Sequence, residues 1–150
     1  MKQWLVCLAV ALVAVGCNND NGGGSPTDPS QVNVEYSFSD LTVGTGPQVV
    51  SGNSVTVNYT GWLYNPAGSA SKGAEFDSSL RPGRTPYALV VGARQVIPGF
   101  EQAVVGMQVG GKRRVYIPPS LAYGSSGSQD GSIPPNASIV FEIELVSIVR

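Results

Sequence analysis

The sequence predicts an α+β domain, a curved antiparallel sheet wrapped around one short α-helix. Three observations point there. Gly (19) and Pro (11) are plentiful while charged residues make up 13%, a balance that favours turns and strands over long surface helices. Apolar and polar residues alternate with period two in several separate runs, the signature of strands with one covered and one wet face. A single segment carries a helical period, and one short amphipathic helix can cover one face of a sheet but not both.

Taken in chain order, the first element is an address. Met1 and Lys2 give a short positive start, and Trp4 to Val15 is almost unbroken apolar sequence, too short to span a bilayer. Ala14-Val15-Gly16-Cys17 resembles a bacterial lipobox, in which the cysteine is lipidated and becomes the new first residue. Residues 1–16 therefore read as a lipoprotein signal peptide, with Cys7 removed inside it. Residues 17–30 read as the lipidated Cys17 followed by a flexible tether, because Asn18 to Ser30 holds no large apolar residue to offset its ordering entropy. Asn18 rather than Asp after the cysteine points to the outer membrane. The domain proper is expected over residues 31–150, with no disulfide to hold it.

Within that domain Val32 to Tyr36 alternates by two and predicts a strand. Val55 to Leu63 predicts another, with Val55, Val57, Tyr59 and Leu63 on one face. Phe100, Ala103, Val104 and Met107 fall at helical spacing behind Pro98-Gly99, and Gly106 with Gly110-Gly111 stops the helix after about two turns. Arg113 to Ile117 is a third run. In the closing run Ile139, Phe141, Ile143 and Leu145 share a face, with Glu142 and Glu144 opposite. The basic string Lys112-Arg113-Arg114 reads as a solvated strand start.

Charge and composition exclude whole classes of function. A formal net charge of −1 offers no field for nucleic acid. The chain has no histidine, which removes Ser-His-Asp and Cys-His nucleophiles, histidine zinc sites and imidazole proton shuttles. What remains is a set of aromatic and apolar residues beside Gly/Pro turns, the usual lining of a small-ligand or peptide pocket.

The strings Tyr59-Thr60-Gly61, Phe76-Asp77-Ser78-Ser79, Val96-Ile97-Pro98-Gly99-Phe100, Ala122-Tyr123-Gly124, Ile133-Pro134-Pro135 and Ile139 to Leu145 occur in this order. As an ordered set, covering roughly Tyr36 to Val149, they resemble the FKBP-type peptidyl-prolyl cis-trans isomerases, the macrolide-binding immunophilins. The resemblance implies a five- to six-stranded half-barrel around one helix, and an isomerase for X–Pro bonds of unfolded or exported proteins.

It also implies a pocket. Tyr59, Phe76, Asp77, Phe100, Tyr123 and Phe141 would be its catalytic residues, and Tyr87, Val96, Ile97 and Ile133 would bind substrate. Phe100 would be the floor, where many relatives carry tryptophan. Ile97 would offer its N–H and Tyr123 its hydroxyl. Asp77 would be held by Tyr59 and by Arg81 or Arg84, either to act near the amide or to organise its loop. Val96 and Phe141 would be core residues in any sheet protein. The loop from Gly124 to Ser132 is longer and more serine-rich than in the relatives. No metal and no cofactor is expected. The expected partners are X–Pro segments, macrolide inhibitors and a membrane reached through the lipid on Cys17, with no nucleic acid and a monomeric chain. The expected place is the bacterial envelope, on the periplasmic face of the outer membrane. The rival reading is a proline-peptide-binding chaperone or interaction module with little turnover.

Overall fold

The computed structural model describes residues 29–149, so the signal peptide, Cys17 and most of the expected tether lie outside the described residues. Six strands form one sheet: β1 (Ser37–Thr42), β2 (Ser54–Tyr64), β3 (Lys72–Ser78), β4 (Tyr87–Val90), β5 (Lys112–Ile117) and β6 (Ile139–Val149). Among the described residues one α-helix, α1 (Pro98–Val104), packs against it. Strand order is β1-β5-β6-β2-β3, with β4 also on β2, and every pairing is antiparallel. This is the α+β half-barrel that the sequence predicts.

The long strand β2 is what curves the sheet. Its first half, Ser54 to Val57, pairs with β4, and its second half, Thr60 to Tyr64, pairs with β3. Throughout, its other edge pairs with β6, with a register shift between Thr56 and Val57. A bulge there bends the strand and increases its twist, so the two halves can serve different neighbours. The alternation expected for β2 and β6 is observed. Val55, Val57, Ile139, Ile143 and Leu145 are at most 1% exposed and meet Phe100, Ala103 and Val104 of the helix in one core.

Helix α1 starts with Pro98 in its first turn, where the missing N–H costs nothing. It ends at Val104, one turn short of the expected Met107. Val105 already has extended ψ, and Gly106 follows at φ +79°. Met107 is still buried, which is why it fits the apolar pattern without being helical.

Two expectations are corrected. Val32 to Tyr36 is not a strand, since its backbone joins no ladder. Val34 N–H donates to Ser138 Oγ (3.3 Å) and the Tyr36 hydroxyl to the Gly99 carbonyl (3.4 Å), so the alternation there reflects individual anchors. The strand begins one residue later, and all of β1 is exposed. The second correction concerns the basic string. Arg113 is 6% exposed rather than solvated. It donates to the carbonyls of Ala103 (2.9 Å) and Val105 (3.2 Å) at the end of α1, pairs with Asp40 of β1 (2.6 Å), and lies 4.1 Å from the centre of the Phe38 ring. At the other end of the described chain, Ser30 is buried and its carbonyl accepts the Ser138 N–H (2.7 Å).

Candidate active site

A cavity of about 690 Å³ opens at one end of the sheet. All ten residues singled out for the pocket line it. β2 contributes Tyr59, β3 contributes Phe76 and Asp77, β4 contributes Tyr87, and β6 contributes Phe141. Val96 and Ile97 lead into α1, which supplies Phe100, while Tyr123 and Ile133 come from the long connection before β6.

The rings meet edge to face throughout. Phe100 and Phe141 have centroids 5.1 Å apart at 89°, Phe76 and Phe141 5.5 Å at 89°, and Tyr59 stands 5.8 Å from Phe100 and 6.2 Å from Tyr87. Edge-to-face pairs fix ring orientation and add about 0.5–1.5 kcal/mol each beyond burial. Phe100 and Phe141 are 4% and 5% exposed and form the floor, while Tyr87 and Tyr123 stand at the rim. The close approach of the rings depends on Gly61. A Cβ there would lie 2.5 Å from Phe76 and 2.6 Å from Phe141, closer than real contacts allow.

The polar wall is a single network. The Tyr59 hydroxyl donates to Asp77 Oδ2 at 2.6 Å, and the Ser78 N–H to Asp77 Oδ1 at 2.9 Å. Arg84 lies 3.4 Å from the same carboxylate. Arg81 lies 4.0 Å from it but is committed to Glu75, at 2.9 Å and through a 3.0 Å bond from Nε. Arg84 is therefore the nearer partner of Asp77 of the two that the resemblance allows. Burial, the bond to Asp77 and the Asp77 charge push the Tyr59 hydroxyl well above the usual phenol range, so it stays a donor. Burial first, then the charges of Asp77 and Asp130, push the Tyr123 hydroxyl up too. Neither the Tyr123 hydroxyl nor the Ile97 N–H has a partner among the described residues, so both are free to receive a ligand.

Arg94, Gln95, Ser128, Asp130 and Ser132 also line the cavity; the last three lie in the serine-rich loop Gly124 to Ser132, and none of the five is singled out by the sequence. Their signal is only turn composition, Ala93-Arg94-Gln95 and Ser128 to Ser132, which carries no periodicity. Among the described residues no group of three or more His, Cys, Asp or Glu side chains could hold a metal ion.

A ring-floored hollow with two free donors at its mouth can seat a compact apolar group that carries carbonyl oxygens. Comparison with known proteins says which. Residues 46–146 match the family FKBP-type peptidyl-prolyl cis-trans isomerase. The chain is 40% identical over 148 residues to FK506-binding protein 2 of Dictyostelium discoideum, covering 99% of each. It is 50% identical over 113 residues to FK506-binding protein 4 of the same organism, covering 75% of this chain but 28% of that longer relative. A solved peptidyl-prolyl cis-trans isomerase from Pseudomonas syringae superposes with a TM-score of 0.62 at 35% identity, covering 77% of this chain and 76% of the other. This chain belongs to the FKBP-type peptidyl-prolyl cis-trans isomerases.

Proposed function

We propose that this protein accelerates cis-trans isomerisation of X–Pro bonds in exported proteins by drawing the prolyl ring into the aromatic pocket. The observation that carries the reading is the Phe100–Phe141–Phe76 cluster beneath an open cavity. Isomerisation moves no proton obligatorily and breaks no σ bond. Its obstacle is amide resonance, a barrier of about 18–20 kcal/mol that makes the uncatalysed step take tens to hundreds of seconds. The twisted amide is less polar than the planar one, so a dry pocket disfavours the planar form relative to it. Lowering the barrier by about 6 kcal/mol yields more than four decades in rate.

In this reading Phe100 and Phe141 seat the ring, with Phe76, Tyr87, Val96 and Ile133 as walls. The Ile97 N–H and the Tyr123 hydroxyl donate to the substrate's carbonyls. Asp77, fixed by Tyr59 and Arg84, holds the β3 wall of the pocket. A macrolide of the kind for which the relatives are named would compete for the same pocket. The lipobox-like string ending at Cys17 supports a chain tethered to an envelope membrane, facing newly exported clients.

Exchange NMR on a blocked Leu-Pro peptide tests this. Line broadening of the cis and trans signals at catalytic protein concentrations, removed by FK506, is the expected outcome. Binding without exchange would overturn the enzymatic reading in favour of a chaperone.

A further inference from the structure

The pocket rim carries four side-chain cations and anions that the twisting step does not require, and they are not equivalent. Arg81 is held by Glu75 and Arg84 lies beside Asp77, so these pairs largely cancel. Two charges are left over. Arg94 has no acidic partner and Asp130 no basic partner among the described residues, and they are not paired with each other. Both are exposed, and both line the cavity.

Each is held in place by its own loop. The backbone N–H groups of Gly92 (2.5 Å) and Arg94 (3.4 Å) donate to Glu101 of α1, and Gln95 accepts the Val90 N–H (2.8 Å). Arg94 thus sits on a pinned turn at φ +55°, two residues before Val96. On the loop that follows Tyr123, Asp130 Oδ1 accepts the hydroxyls of Ser128 (2.6 Å) and Ser132 (2.8 Å) and the Ser132 N–H (3.1 Å). Ser128 in turn ties that loop to Ile133 through Oγ and the backbone (both 2.9 Å). All of these bonds use Oδ1, which leaves Oδ2 open. The three donors hold the Asp130 carboxyl down at about 2, so its charge is present at any working pH.

We propose that Asp130 and Arg94 are specificity-determining residues: their opposite, unpaired charges on different loops of one rim favour X–Pro segments with a cationic residue toward the Tyr123 loop and an anionic residue toward the Ile97 turn. The inference rests on the isomerase reading and adds a direction to it. A segment threading the pocket passes the two free donors, Ile97 N–H and Tyr123 hydroxyl, and so passes one charge on each side. A peptide with its charges in the matching order gains two attractive contacts, and the reversed order meets two repulsive ones.

Two blocked peptides of identical composition provide the test, Lys-Leu-Pro-Phe-Glu and Glu-Leu-Pro-Phe-Lys, which share the isomerising Leu–Pro bond and the net charge. At low ionic strength one order is expected to show a kcat/KM about three- to tenfold above the other, the range for two exposed ion contacts. The ratio should approach one in about 0.5 M salt, where the Debye length is only a few Å. It should fall in Asp130→Asn and in Arg94→Gln and approach one in the double variant. Asparagine keeps the Oδ1 acceptor and with it the loop bonds, so that variant removes charge rather than structure. Equal rates for both orders in the wild type, or a preference that survives the double variant, overturn the proposal while leaving the isomerase reading intact. No acceleration of either peptide overturns both.

Discussion

At the scale of single residues, the pocket is decided by what Gly61 lacks. Any side chain there would collide with Phe76 and Phe141, so Gly61→Ala must push apart the rings that form the floor. Overpacking of this kind costs about 1–3 kcal/mol. We expect Gly61→Ala to lower melting temperature and kcat/KM together, with the activity loss exceeding tenfold, measured by thermal unfolding and a coupled proline assay. An unchanged kcat/KM would mean that the ring spacing is irrelevant to turnover. The ionisable groups of the wall make a second expectation. Tyr59 and Tyr123 are both pushed up, so their hydroxyls stay protonated through the neutral and alkaline range. With no histidine in the chain, kcat/KM should be flat from about pH 6 to pH 9, a window in which an imidazole would titrate. A sigmoidal step in that window would expose a titrating catalytic group that this site does not contain.

At the scale of elements, two clusters of charge hold the sheet and helix in register. Arg113 joins β1, β5 and the end of α1 through Asp40, Ala103 and Val105. Its donors satisfy carbonyls that a helix leaves open at its C-terminus, and its charge favours that end of the dipole. Removing it strands the carbonyls and the carboxylate together. Arg113→Met is expected to cost about 2–4 kcal/mol in urea denaturation, and a loss below about 0.5 kcal/mol would show the clamp to be idle. On the outer face Glu142 sits among Lys72 (2.5 Å), Arg114 (2.8 Å) and Lys112 (3.4 Å). Burial opposes its ionisation, yet the bonds and charges of these cations outweigh it and hold the carboxyl down at about 2. A carboxyl depressed by folding stabilises the fold above its ordinary value near 4.5 and loses that contribution as pH falls toward 2. Glu142→Gln should therefore destabilise by about 2 kcal/mol at pH 7, and the difference from wild type should shrink steadily between pH 4.5 and pH 2. A difference independent of pH would assign the effect to packing instead.

At the scale of the whole molecule, legibility follows burial. β2, β5, β6 and α1 were readable because each buries one face, and burial writes period two or 3.6 into a sequence. The ordered aromatic strings are legible for a related reason, since Tyr59, Phe100 and Phe141 pack against one another from β2, α1 and β6. β1 lies one residue beyond the alternating run because none of its residues is buried, so it is held by backbone pairing to β5 and by the contacts of Asp40 and Phe38 with Arg113, which write no period into the sequence. Arg113 was misread because a cation in a basic string looks solvated until its three acceptors, scattered over Asp40, Ala103 and Val105, come together in space. Arg94 carries no sequence signal, and Asp130 shows only through its serine-rich loop, because both are exposed turn residues placed at the rim by Glu101 and by two serines. The central claim, however, concerns rings rather than charges: an apolar floor does the work and the carboxylate supports it. It is tested most directly by kcat/KM on one Leu-Pro peptide for the wild type, Phe100→Ala, Phe141→Ala and Asp77→Asn, with folding of each verified by NMR. The account predicts losses of about a hundredfold or more for either ring deletion and of less than about tenfold for Asp77→Asn, roughly 2.7 against 1.4 kcal/mol of barrier. Folded ring deletions that keep their activity, beside an Asp77→Asn variant that loses it, would contradict the account.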